Sequence, residues 1–213
     1  RAELGEDAVK GEILLSGEKS EITVYLPLYN GVKELYLGIS EKACIWKPLE
    51  HKVRRPIIFY GSSITQGGCA SRTSNAYPAL VTRWLDAGMY CLGFSGNARG
   101  DLPIARYIAG LPAEYLVYDY DYNAPDAAFL RETHEPFLEY ILSHNPALPV
   151  LVMSRPNPEF KTEELQSRER RQIIWETVFK CRERGYQVDF LDGAELFGEE
   201  ARECCTVDGI HPN

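Results

Sequence analysis

The sequence predicts an α/β protein: a central parallel sheet with helices on both faces, preceded by a shorter β segment. Three observations carry that prediction. From residue 57 onward, short apolar runs alternate with longer stretches of helical composition, which is the pattern of repeated βαβ units. Up to residue 45 the runs are rich in β-branched and aromatic residues, with turn signals between them and nothing helical. Between the two textures, "WKPLEHKVRRP" (46–56) has a proline toward each end and many charges, which reads as a linker. The expected organisation is therefore a partial β module over 1–45, a linker over 46–56 and an α/β domain over 57–213.

The elements follow in order. "EILLS" (12–16), "EITVYLPL" (21–28) and "VKELYLGI" (32–39) read as strands, and "SGEKS" and "YNGV" as the turns between them. In the second region the strand candidates are "IIFY" (57–60), "YCLGF" (90–94), "EYLVY" (114–118), "PVLVM" (149–153) and "YQVDFL" (186–191). Helices are expected over about 77–87, 102–110, 126–144 and 163–184. Near-continuous apolar strands belong to sheets covered on both faces. In such sheets, sites gather just past the carboxyl ends of the strands. The first half of the last helix, "EELQSRERRQIIWETVFKCRER", is heavily charged and reads as a solvated face.

Composition narrows the function classes. The chain has 213 residues, 45% hydrophobic and 25% charged, ordinary values for a soluble globular protein. A formal net charge of -8 argues against a phosphate-backbone binder, so no nucleic-acid partner is expected. No apolar run approaches the roughly 20 residues that span a bilayer, so no membrane partner is expected either. Arg1 is not an initiator methionine, and some upstream sequence is expected to be missing. The six cysteines form no CxxC pair, which disfavours a zinc knuckle. They read as free thiols in a reducing compartment, which leans toward the cytoplasm.

Four short stretches carry the candidate chemistry. "FYGSSITQGG" (59–68) leaves an apolar run and enters a turn crowded with Ser62, Ser63 and Thr65. It is not a P-loop, because no lysine follows its glycines. It is not G-x-S-x-G either, because Thr65 stands where the last glycine belongs. Ser63 is a candidate nucleophile, with helix capping as the competing reading. "DGIHPN" (208–213) sets Asp208 three residues before His211, close enough for a carboxylate to fix the imidazole tautomer. "GFSGNARG" (93–100) permits close backbone approach, and a helix starting near Leu102 would suit an anion. "DYDYNAP" (119–125) opens like a calcium loop, and an extended chain would set Asp119, Asp121 and Asn123 on one side. Ala124 and Leu130 break that motif where Gly and Glu are required, so no metal is expected. Asn123 remains of interest as a neutral amide donor.

The ordered set of a strand-end serine, a strand-end glycine, a strand-end asparagine and a terminal Asp-x-x-His resembles the SGNH hydrolases, the superfamily that contains the GDSL esterases. The resemblance covers about residues 55 to 213. It implies a flavodoxin-like three-layer α/β/α fold and a serine esterase with a triad of Ser63, Asp208 and His211. It also implies an oxyanion hole formed by Ser63, Gly96 and Asn123, and no cofactor. "LPLYNGVKELYLGI", "GSSITQGG", "LGFSGN" and "DGIHPN" together look like a bacterial subgroup of acyl-esterases with an N-terminal β-sandwich module. There are two departures. Ser62 replaces the aspartate of G-D-S. The chain also stops at Asn213, where the family continues into a closing helix, so His211 is expected to be poorly supported. The implied substrate is a short O-acyl ester, with a carbohydrate as one candidate carrier. Tyr60, Tyr77, Tyr120 and Tyr122 lie where they could stack on a sugar, though packing of strand ends is the plainer reading. Two other classes stay open: a non-catalytic binding module on the same scaffold, and a flavodoxin-like phosphate or nucleotide binder using "GSSIT" and "GFSGN" as anion cradles.

Overall fold

The computed structural model describes residues 2–4, 9–11, 19–156, 165–198, 200 and 204–213. The chain divides into two compact units. The smaller comprises Arg1–Val24 and Ile39–Leu49, and the larger Tyr25–Gly38 and Glu50–Asn213. In the smaller unit, β1 (Ala2–Leu4) pairs antiparallel with β2 (Val9–Gly11).

The expected strands over 21–28 and 32–39 do not form; both stretches are irregular. The expected strand over 12–16 lies outside the described residues. The physical reason is pairing. Strand propensity expresses itself only against a neighbouring strand, and neither run has one among the described residues. Ile22, Val24, Leu35 and Leu37 consequently remain exposed.

The larger unit is built on five strands: β3 (Val53–Gly61), β4 (Ala87–Gly93), β5 (Tyr115–Asp119), β6 (Val150–Met153) and β7 (Val188–Leu191). Their spatial order is β4-β3-β5-β6-β7, and every pairing is parallel. β3 starts four residues earlier than the apolar run suggests, taking in the end of the expected linker. Pro56 is tolerated because the register with β4 slips between Val53 and Ile57, where a missing N–H costs no regular ladder bond.

Among the described residues, five α-helices accompany the strands: α1 (Ser63–Gln66), α2 (Tyr77–Leu85), α3 (Leu102–Ala109), α4 (Ala127–His144) and α5 (Leu165–Glu183). Apart from the short α1, each falls close to its expected range. α2 and α3 begin with a proline in the first turn, where a missing N–H is harmless. α4 is capped by Asp126, whose carboxylate accepts the Phe129 N–H at 2.8 Å.

Strand alternation explains the two faces. Ile58, Tyr60, Leu116, Tyr118, Val150 and Val152 point to one side, into a cluster with Ala105 and Ile108 of α3, Phe137 and Ile141 of α4, and Ile174 and Val178 of α5. Ile57, Phe59, Val117, Leu151 and Met153 point to the other, against Tyr77 and Val81 of α2. Each fully buried side chain of this size contributes about 2 kcal/mol. The result is a three-layer α/β/α sandwich with β3 inside the sheet, between β4 and β5.

Candidate active site

The chain leaves β3 by a tight turn past the carboxyl end of the sheet. β3 ends at Gly61, between β4 and β5. A Cβ on Gly61 would stand 2.0 Å from Thr65 Oγ1 and 2.1 Å from the Asp119 carbonyl oxygen, so only glycine lets the chain turn there. The next residue, Ser62, is fully buried. Its backbone N–H donates to the Asp119 carbonyl at 3.1 Å, and its Oγ accepts the Ile64 N–H at 3.2 Å. Capping is therefore the work of Ser62. Ser63, the first residue of α1, is left half-exposed with its hydroxyl available.

The histidine arrives from the far end of the sequence. Ser63 Oγ lies 2.7 Å from His211 Nε2, and His211 Nδ1 lies 2.7 Å from Asp208 Oδ2. The other Asp208 oxygen accepts the backbone N–H groups of Ile210, at 3.0 Å, and His211, at 2.8 Å. These contacts, the His211 backbone N–H foremost and its ring second, hold the Asp208 carboxyl down at about 2. A carboxylate at that position fixes the proton on Nδ1, leaving Nε2 to accept the Ser63 hydroxyl hydrogen.

His211 is held by contacts within its own loop. Val207 N–H donates to the His211 carbonyl at 3.1 Å, and Asn213 N–H donates to Cys205 at 3.2 Å. Thr206 and Pro212 form an antiparallel bridge. These contacts close a small loop around the histidine. The remaining histidines are poor candidates for the base. His134 is buried beside Thr177, and burial pushes its imidazole down to about 3. His51 pairs with Asp86, and His144 bonds the Tyr140 carbonyl, both at the surface.

The loop after β4 ties Asn123 to the end of β3. Phe94 N–H donates to the Gly61 carbonyl at 2.9 Å, and Asn123 Nδ2 donates to the Phe94 carbonyl at 2.9 Å. Gly96 is exposed at φ 69°, with open space where a side chain would stand. Asn123 sits in a short 3-10 turn, Asp121–Asn123, directly after β5. An amide carries two donor hydrogens, so one Asn123 bond to Phe94 leaves capacity for another.

Residues 54–213 match the GDSL-like Lipase/Acylhydrolase family. The chain belongs to that family. A GDSL-like lipase from Bacteroides ovatus of known structure is similar over 89% of this chain and 56% of its own, with 30% identity and a TM-score of 0.77. A salicylyl-acyltransferase from a tetracycline biosynthetic pathway matches over 75% of this chain and 49% of its own, with 21% identity and a TM-score of 0.64. A two-domain esterase active on acetylated mannans matches over 75% and 44%, with 19% identity and a TM-score of 0.56. The chain thus spans about half the length of these relatives, and the latter two bear on the fold alone. No curated protein matches.

In this GDSL-like chain, two supporting residues escape notice in the sequence. Gln66 ends α1; its Oε1 accepts the Ser95 N–H at 2.8 Å, and its Nε2 donates to the Leu28 carbonyl at 3.0 Å. One amide therefore ties the loop before Gly96 to the 25–38 segment. Arg170 lies in the charged half of α5, which reads in the sequence as a solvated face, yet it is 4% exposed. Its guanidinium donates to Asp121 Oδ1 and to the Asp121 carbonyl, each at 3.0 Å, and to the Ala124 carbonyl at 2.8 Å. It thereby pins the turn that carries Asn123. The charge run conceals it because nothing in the sequence marks which arginine turns inward.

The three acidic-turn residues also part company. Asp119 accepts from Thr65 Oγ1 at 3.2 Å, whereas Asp121 faces Arg170. They do not share a side, because the chain leaves its strand at Asp119 and enters the 3-10 turn. Among the tyrosines, Tyr60 and Tyr120 are buried in an aromatic cluster with Tyr118 and Phe137. Tyr77 packs edge-on against Phe59. Tyr122 is half-buried, its hydroxyl donating to the Pro156 carbonyl.

Proposed function

We propose that the chain is a carboxylic ester hydrolase in which Ser63 is the nucleophile, His211 the general base and acid, and Asp208 the residue that orients it. The observation that carries this reading is the unbroken relay of 2.7 Å contacts from Ser63 Oγ through the imidazole to Asp208. Ser63 Oγ attacks the ester carbonyl while its proton passes to His211 Nε2. The tetrahedral oxyanion is met by the Ser63 N–H, the Gly96 N–H and the Asn123 side-chain amide. Collapse expels the alcohol, which takes the proton back from His211. Water then attacks the acyl-serine, again losing a proton to His211, and the acid and the free serine are released. No other group is required, because fixed dipoles supply the charge stabilisation.

The substrate we propose is a short acyl ester on a carbohydrate. The support is what similar proteins act on, acetylated mannans in one and acetyl-xylooligosaccharides in another. We also propose that the β1–β2 hairpin belongs to an N-terminal β module of the kind found in a bacterial subgroup of the family. A fluorophosphonate probe tests the reaction. The wild-type protein should be labelled and should hydrolyse p-nitrophenyl acetate, and the Ser63→Ala variant should do neither. Labelling that persists in Ser63→Ala would remove Ser63 from its role. A folded wild type with no turnover of any acyl ester would instead favour a binding module on the same scaffold.

A further inference from the structure

The turn that follows α1 brings a thiol to the back of the catalytic histidine. Gly67 ends α1 in the left-handed region, and Cys69 repeats that conformation at φ 64°, uncommon for a residue with a side chain. This double turn lays the backbone against the imidazole edge. A Cβ on Gly68 would stand 3.2 Å from His211 Cδ2. Cys69 is exposed and a free thiol. Its Sγ, one Asp208 carboxylate oxygen and one His211 ring nitrogen all lie within 4.8 Å of one another.

We propose that Cys69, Asp208 and His211 form a site for a divalent zinc-class cation, and that its occupancy switches the esterase off. The donor set is one thiolate, one imidazole and one carboxylate, the three ligand types zinc takes, with a fourth position left for water. Donors of a tetrahedral zinc, 2.0–2.3 Å from the metal, stand about 3.5 Å apart. The three groups therefore need to draw together by only about 1 Å. The carboxylate is already oriented by two backbone N–H groups, the outer-shell support that ligating side chains use. The site opens to solvent through Cys69 and Asp208, so a hydrated ion can reach it. On binding, the thiol proton leaves to water and a sulfur–metal bond replaces it. The thiolate and carboxylate balance the two positive charges.

The inhibitory consequence rests on the catalytic reading above; the metal site itself does not. Ligation through His211 Nε2 removes the base from Ser63. Ligation through Nδ1 breaks the bond to Asp208. Either stops proton transfer, so the cation and turnover exclude one another.

Two measurements test this. In the first, Zn2+ is titrated against p-nitrophenyl acetate hydrolysis by wild type, Cys69→Ser and Cys69→Gly; the glycine suits the left-handed backbone should the serine fold poorly. Wild type should be inhibited and restored by EDTA. Each variant should keep the metal-free rate and need at least about ten times more Zn2+ for half-inhibition. Equal sensitivity of wild type and variants would overturn the proposal. In the second, Co2+ is added to Ser63→Ala and to Ser63→Ala/Cys69→Ser. A thiolate-to-cobalt charge-transfer band should appear in the first and be lost in the second. A band absent from both, or unchanged between them, would overturn the site whether or not the protein proves to be an esterase.

Discussion

The two ends of the proposed relay are built in opposite ways. Ser63 sits on a turn whose flanking residues Gly61, Ser62, Ile64 and Thr65 are all buried, at the end of the inner strand β3. Its position is fixed from beneath by β5 and from the side by the loop after β4. His211 sits on a loop held mostly by its own hydrogen bonds, with Asp208 45% exposed and the imidazole 21% exposed. A nucleophile wants a rigid seat, because an error of about 1 Å can cost a factor of 100. The base needs orientation more than depth, and Asp208 supplies that from three residues away. The contrast teaches that changes at the exposed end should cost rate without stability, and changes at the buried end should cost both or stability alone.

Asp208→Asn tests the exposed end and carries the largest expected effect. The amide can no longer hold the proton on Nδ1, and the comparable change in serine proteases costs about 10⁴ in kcat. Because the loop is exposed, the thermal midpoint should stay near that of wild type. A large loss of stability together with modest kinetics would erase the distinction between the two ends. Asn123→Ala is next. Removing one oxyanion donor typically costs 10²- to 10³-fold in kcat. Unchanged turnover in the folded variant would remove Asn123 from the oxyanion role.

Gln66→Ala probes the support around the buried end. Gln66 touches no reacting atom in the proposed mechanism; it positions the loop through Ser95 and anchors it on Leu28. We expect kcat to fall by about 10-fold with KM little changed, since the loss falls on the transition state. Gln66→Glu keeps the acceptor for the Ser95 N–H but loses the donor to Leu28, and should recover part of the rate. If KM alone moved, the loop would be a binding surface rather than part of the oxyanion site.

The same contrast governs what the sequence reveals. The sheet is legible because its strands are apolar on both faces, and "EYLVY" and "PVLVM" can be little else. That Ser63, Asp208 and His211 would lie together is legible because small motifs at strand ends have few structural explanations when they recur in order. The strands over 21–28 and 32–39 fail because a β run read alone says nothing about its partner. Arg170 and Gln66 stay hidden because their roles lie in what they face across the fold: a turn 49 residues away for Arg170 and a carbonyl 38 residues away for Gln66. Composition and local period hold no record of such distances.

The smallest effect belongs to Asp119, deep under the buried end. Burial raises its carboxyl to about 7, assisted by the nearby Asp121 charge and opposed by the Thr65 and Tyr77 hydroxyls. Below the ordinary value of 3.8, folded and unfolded chains both bind the proton, and the group has no effect on stability. Between 3.8 and about 7 the folded chain alone keeps it, so stability from this group falls as pH rises and levels off above 7. At pH 8 the folded protein therefore carries a buried charge that it would be more stable without. Asp119→Asn, neutral and of the same shape, should raise stability at pH 8 by about 1–2 kcal/mol and leave it unchanged near pH 4. Thermal midpoints of the two proteins across that range should converge toward acid and separate toward base. Parallel curves would mean that Asp119 is ionised in the fold throughout, and that the nucleophile's seat tolerates a charge its burial argues against.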